Sequence, residues 1–510
     1  MSSSVSTVAV MTNTTDSTSS SYDTASYDTD SSGTAPFGTA FPDLDGALRL
    51  PGDDGFEAAC AGYQRATVHR PGCVVSARST ADVRAAVNHA AAHGLHVSAQ
   101  VSGHGLTTAL DGGVLVDLRG LTRVEVDPAR RTARVEGGAT WQHVLDVVTP
   151  HGLAPLSGSS PRVGAVPYTL GGGVGLLGRR YGYAADHVRA LEVVTPDGAL
   201  RRVTSTSESA LERELFWALR GGGAGGGVVT AMEIDLVEVS EVYGGSLYVD
   251  VAAAGDVLER WRRWTTSVPN EVTSGVAMLV FPDVPGVPAA LRGRHVAQLQ
   301  ICVATGGAEG LRSGTGARGG DELRGIEGMR SVERLCEAVP VLRDTLCTRP
   351  FSDSGAIFDE PDQPHAYRSR AAMLRSLDPG ALARLPAAVG PAAPVMCVAG
   401  LRHLGGAFAR SPRVAGAIGH REANYLVSVL SPVAPTSEAT DAEVAALHAD
   451  VLTPFASETL GANLSFSFGP STPDEVRSAF TPATADLLVR LRERIDPSGA
   501  VLANHTLPMR

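Results

Sequence analysis

Val101-Ser102-Gly103-His104-Gly105-Leu106 sets one imidazole between two glycines, directly after a run from Leu95 to Val101 that reads as a buried strand. A histidine beside glycines is commonly a hydrogen-bonded turn residue, so residues 101–106 alone leave its role open. The neighbours decide. Upstream, Ser79 or Thr80 can cap a helix over residues 81–93, with Asp82 in its first turn and Gly94 as its stop. Downstream, residues 112–118 form a second strand, and residues 124–138 alternate on both sides of a charged turn, the mark of a hairpin. A helix over residues 141–152 follows, entered by Thr140 and left at Gly152.

Beyond Gly227 the texture changes. Residues 245–251, 295–303, 395–401 and 424–430 alternate at period two and are separated by helical runs at 257–264 and 442–452. Strands with one covered face and one wet face imply a mostly antiparallel sheet backed by helices. The chain therefore reads as α+β: a first domain over 45–240, a second over 241–474, and a segment over 475–510 that ends in a helix, an Asp-Pro-Ser-Gly turn and an extended tail. The first 40 residues are mostly Ser, Thr, Asp, Gly and Ala, which predicts a disordered tail over 1–44.

Composition narrows the function classes. The 510 residues are 43% hydrophobic with a net charge of −11, so no basic surface offers itself to nucleic acid or to an anionic membrane. No window is apolar enough to span a bilayer, and no leader precedes Arg49, the first basic residue, so a cytoplasmic protein is expected. Cys60, Cys73, Cys302, Cys336, Cys347 and Cys397 form no Cys-x-x-Cys pair, and with no clustered ligands a metal site is not expected. His-Glu-x-x-His and Gly-x-Ser-x-Gly are absent, which argues against metalloprotease and serine-hydrolase readings.

Glycine clusters at 169–178 and 219–229 let backbone N–H groups approach a phosphate or a flat ring closely. Gly173-x-Gly175-x-x-Gly178, with Asp197 beyond it, matches the dinucleotide fingerprint literally. Only eleven residues separate Gly178 from the next strand pattern and Gly182 interrupts them, so a crossover helix does not fit. No Gly-Lys-Ser/Thr follows either cluster, which excludes a Walker A loop.

The order of parts is helix, strand, Ser-Gly-His-Gly, strand, hairpin, helix, then residues 157–175, 179–188 and 214–223. It resembles the berberine bridge enzyme-like family of flavoproteins, in the vanillyl-alcohol oxidase or PCMH-type FAD-binding superfamily. The resemblance runs from about Arg70 to Leu236 and returns over residues 492–507. It implies a two-subdomain FAD-binding domain joined to the substrate domain, with FAD linked covalently through His104. The link raises flavin potential. The family's Arg-x-Gly-Gly-His reads here as Gln100-Val101-Ser102-Gly103-His104, so phosphate contacts fall to backbone amides. Its second attachment cysteine falls on Ser160, which cannot form a thioether, so a single link is expected. Ser159, just before it, is small where relatives control oxygen access, and favours an oxidase.

By the same resemblance the cofactor contacts are Val101, Ser102, Gly103, Gly105, Leu106, Ser159, Ser160, Val163, Gly164, Tyr168, Gly171, Gly172, Gly173, Asp186, His187, Gly227, Val228, Asn504 and His505. The implied chemistry is hydride transfer from a small-molecule C–H, in a secondary metabolite or a sugar alcohol or amine, to flavin N5, with reoxidation by molecular oxygen to hydrogen peroxide. The family's Tyr-x-Asn-Phe element aligns with Asn463-Leu464-Ser465-Phe466, so its tyrosine is missing; Tyr425 and His403 stand as candidate bases, with Arg402 on the opposite face from His403. Two other readings stay open: a dehydrogenase that uses another electron acceptor, and a protein in which FAD serves binding or a non-redox cyclisation. Neither substrate identity nor oligomeric state is readable.

Overall fold

The computed structural model describes residue 41 and residues 44–304, 327–435 and 437–509; apart from Phe41 and Leu44, the expected 1–44 tail lies outside the described residues. The first sheet has the order Ala47–Arg49, Cys73–Ser76, Val114–Asp117, Val97–Gln100. Cys73–Ser76 and Val97–Gln100 both run parallel to Val114–Asp117. Parallel neighbours need a crossover, and the helix Thr80–Ala92 supplies it. Ser79 caps that helix and Asp82 closes the capping box, as the sequence predicts. Its apolar stripe of Val83, Ala86, Val87 and Ala90 is buried in one cluster with Val75, Val97, Val114 and Val116. The residue 101–106 loop thus leaves the carboxyl end of a parallel strand, the usual ligand side of such sheets.

The second sheet is antiparallel, in the order Val124–Asp127, Thr132–Glu136, Val228–Asp235, Val188–Val194, Leu200–Val203. The glycine run 221–227 leads directly into Val228–Asp235, its central strand. Arg220, at the start of that run, is fully buried, and its guanidinium donates to the carbonyls of Ala185, Val414 and Ala415. One side chain therefore ties the run to a distant loop.

The third sheet has nine strands, and every pairing among them is antiparallel. Its centre is His295–Ala304, Val272–Val280, Val398–His403 and Tyr425–Pro432. The strand expected at 395–401 begins three residues later, at Val398, and runs to His403. Helices Val257–Thr265, Glu327–Ala338, Pro379–Ala388 and Asp441–Leu452 supply side chains to the cluster on one face of this sheet, around the fully buried Trp261.

The last helix, Pro482–Ile495, ends at Asp496, whose buried carboxylate accepts from the N–H groups of Ala500 and Val501. That turn returns the tail to the first sheet, where Val501 bridges Val97 in parallel.

Candidate cofactor and substrate site

A cavity of about 640 Å³ opens between the first two sheets and the nine-stranded sheet, within the roughly 300–1,000 Å³ usual for ligand sites. The loop at 101–106 forms part of its wall. Gly103 has φ +65°, and a Cβ there would stand 2.6 Å from the Cα of Gly62. The segment it crosses is held by hydrogen bonds from Tyr63 N to Ser102 O and from Gln64 N to Gly103 O. Only glycine satisfies both the left-handed backbone and the crossing.

His104 is fixed on several sides. Its Nδ1 lies 2.8 Å from Ser102 Oγ, its ring stacks on Tyr63 at 3.9 Å between centroids, and its carbonyl accepts from the Tyr367 hydroxyl. Burial, then the nearby His365 and Arg162, pull its pKa down to about 4, so the imidazole is neutral at pH 7. A neutral imidazole has a lone pair on one ring nitrogen.

Of the expected contacts, Val101, Ser102, Gly103, Gly105, Leu106, Ser159, Ser160, Val163, Tyr168, Gly171, Gly227, Val228, Asn504 and His505 line this cavity together with His104. Five do not. A Cβ on Gly164 would meet Pro167 and Val101, and one on Gly173 would meet Tyr168 and Ala184, so these glycines serve close packing behind the wall; Gly172 lies against Ile418 and Tyr183. Asp186 is paired with Arg421 at 2.5 Å, and His187 Nε2 lies 2.9 Å from Tyr181 O. Asn504 lines the cavity but spends its amide on the histidine loop, donating to Gly105 O and accepting from Thr107 N.

Both candidate bases lie away from the cavity. On the strand Tyr425–Pro432, Tyr425 shares a face with Val427 and Val429 in the helix-backed core, while Ser428 and Leu430 face the cavity. The Tyr425 hydroxyl is 2.7 Å from Thr265 Oγ1. His403 Nε2 lies 2.8 Å from Arg179 Nη1, and burial together with that cation pushes its pKa down to about 2. Period two then turns Val398, Gly400 and Arg402 of the same strand to the cavity.

The structure also brings in side chains that the sequence did not single out. Glu360 lines the cavity and accepts from Ser159 Oγ at 2.5 Å. Tyr63 and Tyr367 line it too, beside the expected Tyr168, and burial raises all three phenols, which keeps them protonated. The Tyr168 hydroxyl is buried with no hydrogen-bond partner among the described residues. Arg492, from the last helix, reaches within 4.0 Å of the position a Cβ on Gly225 would take, and its buried Nε is likewise without a partner. An i+4 pattern on an amphipathic helix carries no sign of this; only the tail's return reveals it.

The buried histidines make stability pH-dependent. His69, His104, His448 and His505 are all pulled down to about 4, in each case chiefly by burial. Unfolded histidine titrates near roughly 6.5. Between those values the unfolded chain binds more protons, so stability is full above about pH 6.5 and falls as pH falls toward 4, by at most about 1.4 kcal/mol per pH unit per histidine. The urea midpoint is expected to be lower at pH 5 than at pH 7.5, and the combined His69→Gln and His448→Gln variant to show a flatter dependence. An unchanged midpoint would refute this account.

Comparison with known proteins agrees with this geometry. Residues 71–204 match the FAD binding domain family. (R)-6-hydroxynicotine oxidase of Paenarthrobacter nicotinovorans is 34% identical over 199 residues, 38% of this chain and 42% of that protein. Berberine bridge enzyme-like C-1 of Nicotiana tabacum is 30% identical over 211 residues, 38% of this chain and 35% of that protein. The match thus spans less than half the length of either relative. The fold match is longer: the crystal structure of 6-hydroxy-D-nicotine oxidase from Arthrobacter nicotinovorans superposes with a TM-score of 0.75 at 21% identity, covering 92% of this chain and 98% of that one. Among the described residues no helix is long and apolar enough to cross a membrane, and no group of His, Cys, Asp and Glu is arranged to hold a metal. The chain therefore carries an FAD binding domain over residues 71–204, shares the fold of 6-hydroxy-D-nicotine oxidase, and is similar over part of its length to berberine bridge enzyme-like proteins and other FAD-linked oxidoreductases.

Proposed function

We propose that the protein is an FAD-dependent oxidase with a single histidyl link at His104, and that it removes a hydride from a C–H of a small-molecule alcohol or amine. The neutral His104 imidazole, at the wall of a glycine-lined cavity that continues to the nine-stranded sheet, carries this reading. On the same reading, residues 45–240 and 475–510 form the FAD domain and 241–474 the substrate domain.

The residues present fit FAD. The glycines of residues 221–227, with Gly103, Gly105 and Gly158, give a wall nearly bare of side chains, where backbone can meet a flat ring or a phosphate. Arg492 offers an unengaged N–H beside that run, a cation in place of the one lost at Gln100. The buried Tyr168 hydroxyl also lacks a partner among the described residues, as a group that meets a ligand would. Bound FAD supplies the hydride acceptor and, through molecular oxygen, a route back to its oxidised form with release of hydrogen peroxide.

Glu360 is the side chain we assign as base. It is a carboxylate at the cavity, held by Ser159, with a protonated phenol, Tyr63, whose hydroxyl donates to the neighbouring Pro361 carbonyl. It accepts the proton from the substrate O–H or N–H beside the carbon that loses hydride. The tyrosines hold their protons and orient the site as donors.

The test begins with acid precipitation of the purified protein, where flavin colour is expected to stay with the polypeptide. An anaerobic screen of small alcohols and amines is then expected to find one that bleaches the flavin, and turnover in air to release one hydrogen peroxide per product. Turnover with an artificial dye acceptor but without peroxide would make the protein a dehydrogenase. Flavin released into the supernatant would overturn the covalent assignment.

A further inference from the structure

Arg402 lines the cavity with a guanidinium whose charge, among the described residues, meets only a distant carboxylate and no hydrogen-bond acceptor. Its guanidinium lies between two rings, with Phe358 at 4.6 Å and Phe466 at 4.9 Å from the ring centroids. A ring face attracts the cation but accepts no directed N–H bond of the kind a carboxylate gives, so the N–H fork of the guanidinium is left to other acceptors. Its ionic neighbour among the described residues is Glu360, at 3.9 Å, the outer limit of an ion pair, and that carboxylate already accepts from Ser159 at 2.5 Å. No hydrogen bond from a described residue engages Arg402. Its side chain keeps 20% of its exposure, in a strand whose other cavity-lining residues, Val398, Gly400 and Leu401, carry no charge.

A cation taken out of water costs free energy unless a counter-charge with matching hydrogen-bond geometry meets it. Arg179 and Arg220, the other buried guanidiniums near this interface, meet that requirement with backbone carbonyls. Arg402 does not. We propose that the substrate carries a carboxylate, and that Arg402 receives it edge-on through its N–H fork. The polar groups that share this wall, Gln298, Gln300 and Ser428, are neutral and suit the rest of a polar substrate, while Leu430 and Met373 supply apolar contact. This rests on the reading of the cavity as an oxidase substrate site, and it narrows that site to organic anions: hydroxy or amino acids and aryl or alkyl carboxylates.

The test uses the purified holoenzyme and a matched pair of probes, benzoate and benzamide, with binding read by calorimetry and flavin content read by absorbance on the same sample. Benzoate is expected to bind about 10- to 100-fold more tightly than benzamide, the range of a charge-assisted hydrogen bond. Arg402→Gln is expected to erase that preference, and Arg402→Lys to keep part of it, with flavin content unchanged in both. Equal binding of the two probes to the wild type overturns the proposal whether or not either variant folds. So does a preference that survives in Arg402→Gln, including the case where that variant instead lowers the flavin potential, which would assign Arg402 to the cofactor. A sample without flavin counts against the oxidase reading, while the probe preference still decides the role of Arg402.

Discussion

Replacing His104 by alanine is expected to remove acid-stable flavin from the protein completely. In the wild type the imidazole is neutral, oriented by Ser102 and stacked on Tyr63, and it stands at the cavity wall. Alanine removes the nucleophilic nitrogen and leaves the loop geometry to Gly103 and to the Asn504 clamp, so the fold persists. Flavin per chain in the acid pellet should fall from about one to none, with yellow colour moving to the supernatant. Ser160→Ala serves as the control, since a serine forms no thioether and its loss should leave the pellet yellow. A pellet that stays yellow in His104→Ala would shift the link to another histidine that lines the cavity, His69, His365 or His505.

Glu360→Gln is expected to lower kcat by about 10²- to 10⁴-fold toward whichever substrate bleaches the wild-type flavin fastest, the usual worth of a general base. Glutamine keeps the shape, and its amide oxygen still accepts from Ser159, so the change removes basicity with little else. The rate of anaerobic flavin bleaching in a stopped-flow instrument reads this step apart from reoxidation. A rate within threefold of wild type would place the base elsewhere. Tyr425 and His403 would not inherit the role: the first is bonded to Thr265 inside the helix-backed core, and the second faces Arg179 and is protonated only near pH 2.

Local signals made much of the first sheet legible. Ser79 and Asp82 announce the helix Thr80–Ala92, and the valines of 114–116 announce a strand with both faces covered. The His104 loop is legible for the same reason: Gly103 and Gly105 mark a backbone that other chain must approach, and a short motif carries that requirement in adjacent residues. The resemblance extends this to most of the cavity wall in the first domain. Gly164, Gly172 and Gly173 pack behind the wall; a glycine behind a wall and one lining it look alike in sequence.

The second domain is different, and there the sequence by itself determined only that strands alternate and that helices back them. Alternation says that Val398, Gly400 and Arg402 share one face of a strand and His403 the other; it does not say which face meets a ligand. Both faces are largely buried, one by helices and one by the cavity, so hydropathy cannot distinguish them. Tertiary structure decided it: four helices cover the side that holds Tyr425, and the FAD-binding sheets close over the side that holds Arg402. Glu360, 201 positions from Ser159, and Arg492, in the last helix beside Gly225, reach the site only through that closure. Contacts between residues so far apart are set by how whole sheets dock, and no local pattern in the chain encodes them.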